Sequence, residues 1–251
     1  MIMNNLTENL KSLFNSRGFN LFNIIESRKY DILFADSQKT TKILQNTESI
    51  IIVGFMGNKF WDILMKYIKI NPHYGNKTKN IIDEYSISVI NESLEIIDPL
   101  TTNYKTVYPF GHTAYNLDFS ILGKLGGIGV DSLLGLLINP EYGTWISFRG
   151  AILSDLKFEK YDNPIDNFAP CHNCSKPCIV ACPADTISNK GWYWKKCLDF
   201  RVNNTICNSS CYSRKACPYG IQHQYSYKQF QHHHDFVLEN YITYTKKNNG
   251  N

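Results

Sequence analysis

Eight cysteines fall between Cys171 and Cys217, a span of 47 residues, and none occurs in the 170 residues before it. So local a concentration of thiols requires a local reason: metal, disulfides or redox chemistry. The first run reads Cys171-His172-Asn173-Cys174-Ser175-Lys176-Pro177-Cys178-Ile179-Val180-Ala181-Cys182-Pro183. Closely spaced thiolates of this kind wrap one corner of an iron-sulfur cube, while the cysteine before proline points to a second cube. The second group, Cys197, Cys207, Cys211 and Cys217-Pro218, also ends in Cys-Pro. This pseudo-repeat predicts a crossed assignment to two [4Fe-4S] clusters: Cys171, Cys174, Cys178 and Cys217 on one, and Cys182, Cys197, Cys207 and Cys211 on the other. The Ser175-Lys176-Pro177 insert makes the second gap one residue longer than the usual bacterial spacing.

Structural zinc is the first competing reading, since Cys-x2-Cys pairs suit it, but two zinc sites leave both Cys-Pro endings unexplained. Disulfides would need an oxidising compartment. The N-terminal MIMNNLTENLKSLF lacks an apolar core with a small-residue cleavage site and reads as an amphipathic helix with Leu6, Leu10, Leu13 and Phe14 on one face. A cytoplasmic location is therefore expected. The longest apolar stretch, Ile50 to Met56, is far shorter than the ~18 residues of a membrane-spanning helix. Lys plus Arg (26) barely exceed Asp plus Glu (22), without a long basic run, so neither a membrane nor a nucleic-acid partner is expected.

Along the chain, residues 1–45 read as helical segments and SIIIVGF (49–55) as a β-rich run. A helical pattern follows in FWDILMKYIKI and again from Asp83 to Ile97, with a looser segment over Asp98–Thr113. Glycines are dense between Phe119 and Leu156, which predicts close backbone approach. GTWISFRGAILSDLKFE reads as a strand leaving the core, YDNPIDNFAP as a linker, and Tyr225–Tyr241 as a helix in a polar tail. The segment Gly123-x-x-Gly126-Gly127-x-Gly129 lacks the dinucleotide spacing G-x-G-x-x-G after a clear strand. Arg149 and Trp145 are candidates for a pocket lining, or else a strand arginine in a salt bridge and its neighbour. The triplet His232, His233 and His234 is read as a solvated helix face rather than a metal site, and His172 as a loop histidine. His112, Tyr115 and Asp118 share one polar stretch and are candidate proton donors.

The run LGKLGGIGVDSLLGLLINPEYGTWISFRGAILSD, followed at once by a two-cluster cysteine module, resembles epoxyqueuosine reductase and the related reductive dehalogenases. TESIIIVGF and IIDEYSISVINE are similar to that family's core strand and following helix. The resemblance implies an α+β protein: a nitroreductase-like α/β core over 1–162, a small bacterial-ferredoxin-like module over 163–222 and a helical, polar tail over 223–251. It implies cobalamin in the core, with FMN as the lesser alternative, and Gly126, Gly127, Gly129, Asn139, Tyr142 and Gly143 lying beside the corrin. The ferredoxin module of that family has the same crossed ligand assignment. The resemblance further implies an iron-sulfur reductase that takes electrons from a reduced ferredoxin- or flavodoxin-type donor and acts on a small molecule, with Tyr115 as first choice of proton donor. The family's acidic residue in a D-T-x-P-like stretch has no counterpart here, where His112-Thr113-Ala114-Tyr115 stands, and the sequence ends before the helical repeats of the tRNA-acting enzyme. The alternative is a ferredoxin-type electron carrier or partner protein without its own active site.

Overall fold

A computed structural model describes residues 2–72, 74, 80–111 and 116–248, apart from the side chains of 236 and 246–248. The chain divides into two compact units, one of Met1–Val130 with Ile146–Asp166, the other of Asp131–Trp145 with Asn167–Asn251. The break after Asp166 lies close to the linker read from the sequence, while the short stretch 131–145, embedded in the glycine-rich region, goes with the cysteine-bearing unit.

The first unit is built on a four-stranded antiparallel sheet of order β1 (Leu21–Glu26), β2 (Ser49–Met56), β6 (Ile146–Ser154) and β3 (Tyr104–Val107). The short strands β4 (Val130–Asp131) and β5 (Leu137–Ile138) precede β6 in the chain and are not part of this sheet, β5 belonging to the second unit. The continuous β-branched run of β2 has seven of its eight residues buried, as suits an inner strand covered on both faces. A bulge interrupts the β2–β6 register between Val53 and Gly54, where an added Cβ at Gly54 would collide with the Ser147 carbonyl oxygen.

The helices of this unit are α1 (Ile2–Ser16), α2 (Ser27–Asp31), α3 (Lys59–Ile70), α4 (Ile81–Ile97) and α5 (Phe119–Leu125). Leu6, Leu10 and Phe14 form the buried stripe of α1, and Phe14, Phe19, Phe55, Phe60 and Tyr85 join in one aromatic cluster with Phe55 stacked on Phe60 at 3.8 Å. The Asn80 side chain caps α4 by accepting from the Asp83 amide at 3.3 Å. Burial pushes the Asp83 carboxyl up, and Arg149, paired with it inside the protein, pulls it down. Arg149 also donates to Ser86 Oγ at 3.2 Å and lies 4.5 Å over the Phe110 ring. The strand arginine of the sequence is thus a buried tie between β6 and the first turn of α4.

The second unit contains α6 (Pro177–Val180), the hairpin β7 (Ile187–Ser188) and β8 (Gly191–Trp192), α7 (Trp194–Asn203), α8 (Tyr212–Lys215) and the long α9 (Tyr227–Asn248). Elements this short cannot bury much apolar surface, so the unit depends on α9 packing against α7 and on a few anchors such as Phe230, Leu198 and Trp145.

Replacing Arg149 with Met leaves the Asp83 carboxylate buried without its partner. Urea titration is expected to show a loss of about 3–5 kcal/mol, largely recovered in the Arg149→Met/Asp83→Leu double variant. Equal losses in single and double variants would contradict the tie.

Candidate metal centre

All eight cysteines are free thiols, and they sort into two groups of four. Cys171, Cys174, Cys178 and Cys217 line one cavity with Leu133, Leu134, Ile138 and Tyr219. Cys182, Cys197, Cys207 and Cys211 line a second cavity of about 230 Å³ with Leu134, Leu136, Trp192, Phe200 and Phe230. Each group draws three members from one cysteine run and one from the other, so the chain crosses over between them. What four sulfurs share in each case is a cavity and one another's field. Among the described residues no three of His, Cys, Asp and Glu converge as a site for a single metal ion.

Local geometry explains how the thiols are held. Lys176, in the left-handed conformation at φ 57°, turns its amide to donate to Cys174 Sγ at 3.3 Å and starts α6 so that Cys178 faces inward. The Thr186 amide donates to Cys182 Sγ at 3.4 Å, and Thr186 Oγ1 lies 3.3 Å from the same sulfur. The two Cys-Pro steps follow short helices, where proline cannot continue the turn.

The electrostatics of the thiols follow. Burial, then the thiolate charges of Cys217, Cys171 and Cys174, pushes Cys178 up. Burial likewise raises Cys217, with the charges of Cys171 and Cys174 adding to it. Cys207 is pushed up to about 11 by burial and by the charges of Cys211, Cys197 and Cys182, against the pull of Arg201. Burial also raises Cys211, opposed by the amide and charge of Arg214. Cys182 is the exception: burial raises it, but hydrogen bonds from the Thr186 side chain and amide, Ala184 and Ser213 hold it below the ordinary thiol range. Cys178, Cys217, Cys207 and Cys211 therefore resist ionisation unless a strong positive centre sits among them, and a coordinating metal deprotonates its thiols outright. This donor set fits a polynuclear cation such as an iron-sulfur cube.

Several contributors were not apparent in the sequence. Arg201, one helical turn after Cys197, is 6% exposed and donates to the His234 carbonyl oxygen at 2.7 Å. Arg214 donates to the Thr144 carbonyl oxygen at 2.6 Å and lies 4.2 Å over Trp145 and 4.9 Å over Tyr225. The histidine triplet is not a solvated face: His233 stacks on Tyr225 at 5.4 Å and His234 packs against Phe230 at 4.5 Å, both lining the larger cavity. Burial, with the charges of Arg201 and Arg214, lowers the His234 imidazole to about 3, so it is neutral at physiological pH. The i to i+4 spacing of Cys197 and Arg201 on one helix was the available signal.

The remaining candidate residues have different surroundings. His112 and Tyr115 lie outside the described residues. Asp118 is an exposed helix cap whose carboxylate accepts from the Ile121 amide at 2.9 Å, and its own amide donates to Tyr30 Oη at 2.9 Å. A Cβ added at Gly126 would press on the Ile25 and Ile52 side chains at 3.3–3.4 Å, and the Gly126 carbonyl accepts from Asn23 Nδ2 at 2.7 Å. Gly127, at φ 70°, approaches the Asn163 carbonyl so closely that a Cβ would collide with it. Gly129 is buried. Asn139 Oδ1 accepts from the amides of Glu141 and Tyr142 at 2.9 and 3.0 Å, closing a tight turn, and the Tyr142 ring packs 4.3 Å from His223. Gly143, at φ 58°, meets the Tyr219 carbonyl, again with no room for a Cβ.

No family model matches the chain. A curated epoxyqueuosine reductase from Listeria monocytogenes is 31% identical over 88 residues, which is 35% of this chain and 20% of that enzyme. The solved epoxyqueuosine reductase from Bacillus subtilis superposes with a TM-score of 0.57 at 13% identity, over 90% of this chain and 68% of that one. The chain has the epoxyqueuosine reductase fold. Another structure of that enzyme, with a modified tRNA-Tyr stem loop, aligns equally well, with a TM-score of 0.57 and 13% identity over 92% and 69% of the two chains. A reductive dehalogenase described with a B12-dependent mechanism gives 0.54 at 14% identity, over 92% and 34%. The nematode B12-trafficking protein CblC gives 0.55 at 12% identity, over 90% of this chain and 91% of that protein.

In the metal-free protein, Thr186→Val is expected to move the pH midpoint of Cys182 alkylation upward, because a hydrogen bond that favours the thiolate is lost. Peptide mapping by mass spectrometry reads the midpoint, and an unchanged value would show that Thr186 does not hold that thiolate.

Proposed function

We propose that this chain is an iron-sulfur oxidoreductase that passes single electrons through two [4Fe-4S] clusters. One is assigned to Cys171, Cys174, Cys178 and Cys217, the other to Cys182, Cys197, Cys207 and Cys211. The carrying observation is the crossed gathering of eight thiols around two cavities, four to each. A bound cluster supplies a one-electron couple whose potential depends on net charge, hydrogen bonds to sulfur and exposure. The chain's own part is to fix the thiolates, to donate to their sulfurs from the amides of Lys176 and Thr186, and to keep water away with Leu134, Leu136, Trp192, Phe200 and Phe230. Such chemistry belongs in a reducing compartment, which we take to be the cytoplasm. Among the described residues no helix is long and apolar enough to cross a membrane.

The acceptor we infer is a corrinoid in the N-terminal unit, with FMN as the lesser alternative. Support comes from the likeness to a B12-dependent dehalogenase and to CblC. Gly126, Gly127 and Gly129 lie in that unit and are assigned to its surroundings, while Asn139, Tyr142 and Gly143 go with the cysteine-bearing unit and are not assigned to it. The close approaches of Gly126, Gly127 and Gly143 are taken by the chain itself, so no chemical step is drawn through the corrin. The proton donor is assigned to Tyr115, with His112 and Asp118 as alternates. The electron donor is assigned to the ferredoxin or flavodoxin type. The substrate is a small molecule or, given the neighbour solved with a tRNA stem loop, a modified tRNA; the expectation that nucleic acid plays no part is withdrawn on that ground. The same filled glycine contacts favour a second reading, a ferredoxin-type electron carrier without its own active site.

Anaerobic reconstitution is expected to yield about eight irons per chain, as two four-iron cubes require. Cys178→Ser and Cys217→Ser are expected to abolish the same electron paramagnetic resonance signal, and Cys207→Ser the other. Cys217→Ser removing the signal that Cys207→Ser removes would refute the crossed assignment. A base-off spectrum on adding cobalamin supports the reductase; its absence with full iron supports the carrier.

A further inference from the structure

The two four-cysteine cavities are chemically unequal. The charges acting on Cys178 and Cys217 are those of the thiolates in their own group. Lys176, the one cation among the described residues lining that cavity, turns its ammonium away to Asn189 Oδ1 at 2.8 Å. The other cavity is lined by two guanidinium groups, Arg201 and Arg214. Arg201 is buried, its Nε has no hydrogen-bond partner, and among the described residues no carboxylate lies within ion-pair distance of it. Asp235 exerts a weaker pull than the thiolates of Cys197, Cys207 and Cys211. A buried, permanently charged guanidinium without a carboxylate partner is costly. On the cluster reading its counter-charge is the set of thiolate ligands at that cavity. The bond to the His234 carbonyl ties the guanidinium to α9 and so fixes its position.

We propose that Arg201, assisted by Arg214, raises the reduction potential of the centre held by Cys182, Cys197, Cys207 and Cys211 above that of the other centre, so that a shared electron rests there. The proposal depends on the cluster reading given above. A fixed positive charge in a poorly solvated site stabilises the more negative, reduced form and so favours reduction. Transfer of one electron from the Cys178 centre to the Cys207 centre oxidises the first and reduces the second, and every iron–thiolate bond is kept. Arg201 is then a positioning residue for charge, and α9 is the strut that holds it.

The test is a redox titration of the reconstituted full chain with dithionite, monitored by electron paramagnetic resonance, after iron analysis. Two waves are expected in the wild-type protein, the higher one missing in Cys207→Ser. Arg201→Met is expected to lower only the higher wave, by at least a tenfold fall in the ratio of reduced to oxidised centre, or 59 mV for a one-electron couple. Arg201→Lys is expected to retain most of the wild-type value. Should Arg201→Met fail to hold eight irons, Arg214→Met reads the same effect, with a smaller downward shift of the same wave. Full iron with both waves unmoved, or a shift confined to the lower wave, overturns the proposal and leaves the cluster reading intact. Absence of iron from the wild-type protein overturns both.

Discussion

Four thiols gathered around one cavity and partly withdrawn from water repel one another as they ionise, and burial adds to the cost of charge. In the second unit this condition occurs twice, and most of the local structure answers to it. Short helices turn inward at cysteines, a left-handed lysine aims an amide at sulfur, and a threonine brings both its groups to one thiol. None of these features would stabilise a unit with so little apolar core on its own. On the proposed cluster reading they prepare the site for a positive, polynuclear guest whose binding is also folding free energy.

The segment 131–145 shows how the same unit recruits distant chain. It contributes Leu134 and Leu136 to the larger cavity and seats Gly143 against the Tyr219–Gly220 backbone, while Gly135 meets Trp192. Gly127 and Gly143, which read as room for a cofactor, therefore serve as room for the protein's own backbone. Trp145, at the end of the segment, gives Arg214 the aromatic face that sets its position between ring and cavity.

Legibility followed the length and purity of each pattern. The buried run of β2 and the helices α3 and α4 were readable because apolar periodicity is strong over eight to seventeen residues. The strand β1 was absorbed into a helical reading of residues 1–45, since LFNIIE has no clean alternation and its burial is irregular. The strand β3 is four residues long with one buried side chain, too little for a sequence signal. The gathering of the cysteines into two groups of four was legible because the spacing of the two runs tolerates an insertion. The arginines around them were not, because their role arises from a fold in which α9 returns to α7, and the histidine triplet was misread for the same reason.

The interleaving of the two units along the chain bears on how the protein is made. The strand β6, which joins β2 to β3 in the first sheet, emerges from the ribosome after residues 131–145 have already left it. Those fifteen residues belong to a unit whose remaining described members, from residue 167 on, are translated later than β6. They must wait, as a loop hung from a nearly finished sheet, until the final cysteine and α9 arrive. The cysteine-bearing unit is in this sense discontinuous in synthesis, and residues 167–251 cannot be lifted out as a single piece without leaving part of its wall behind.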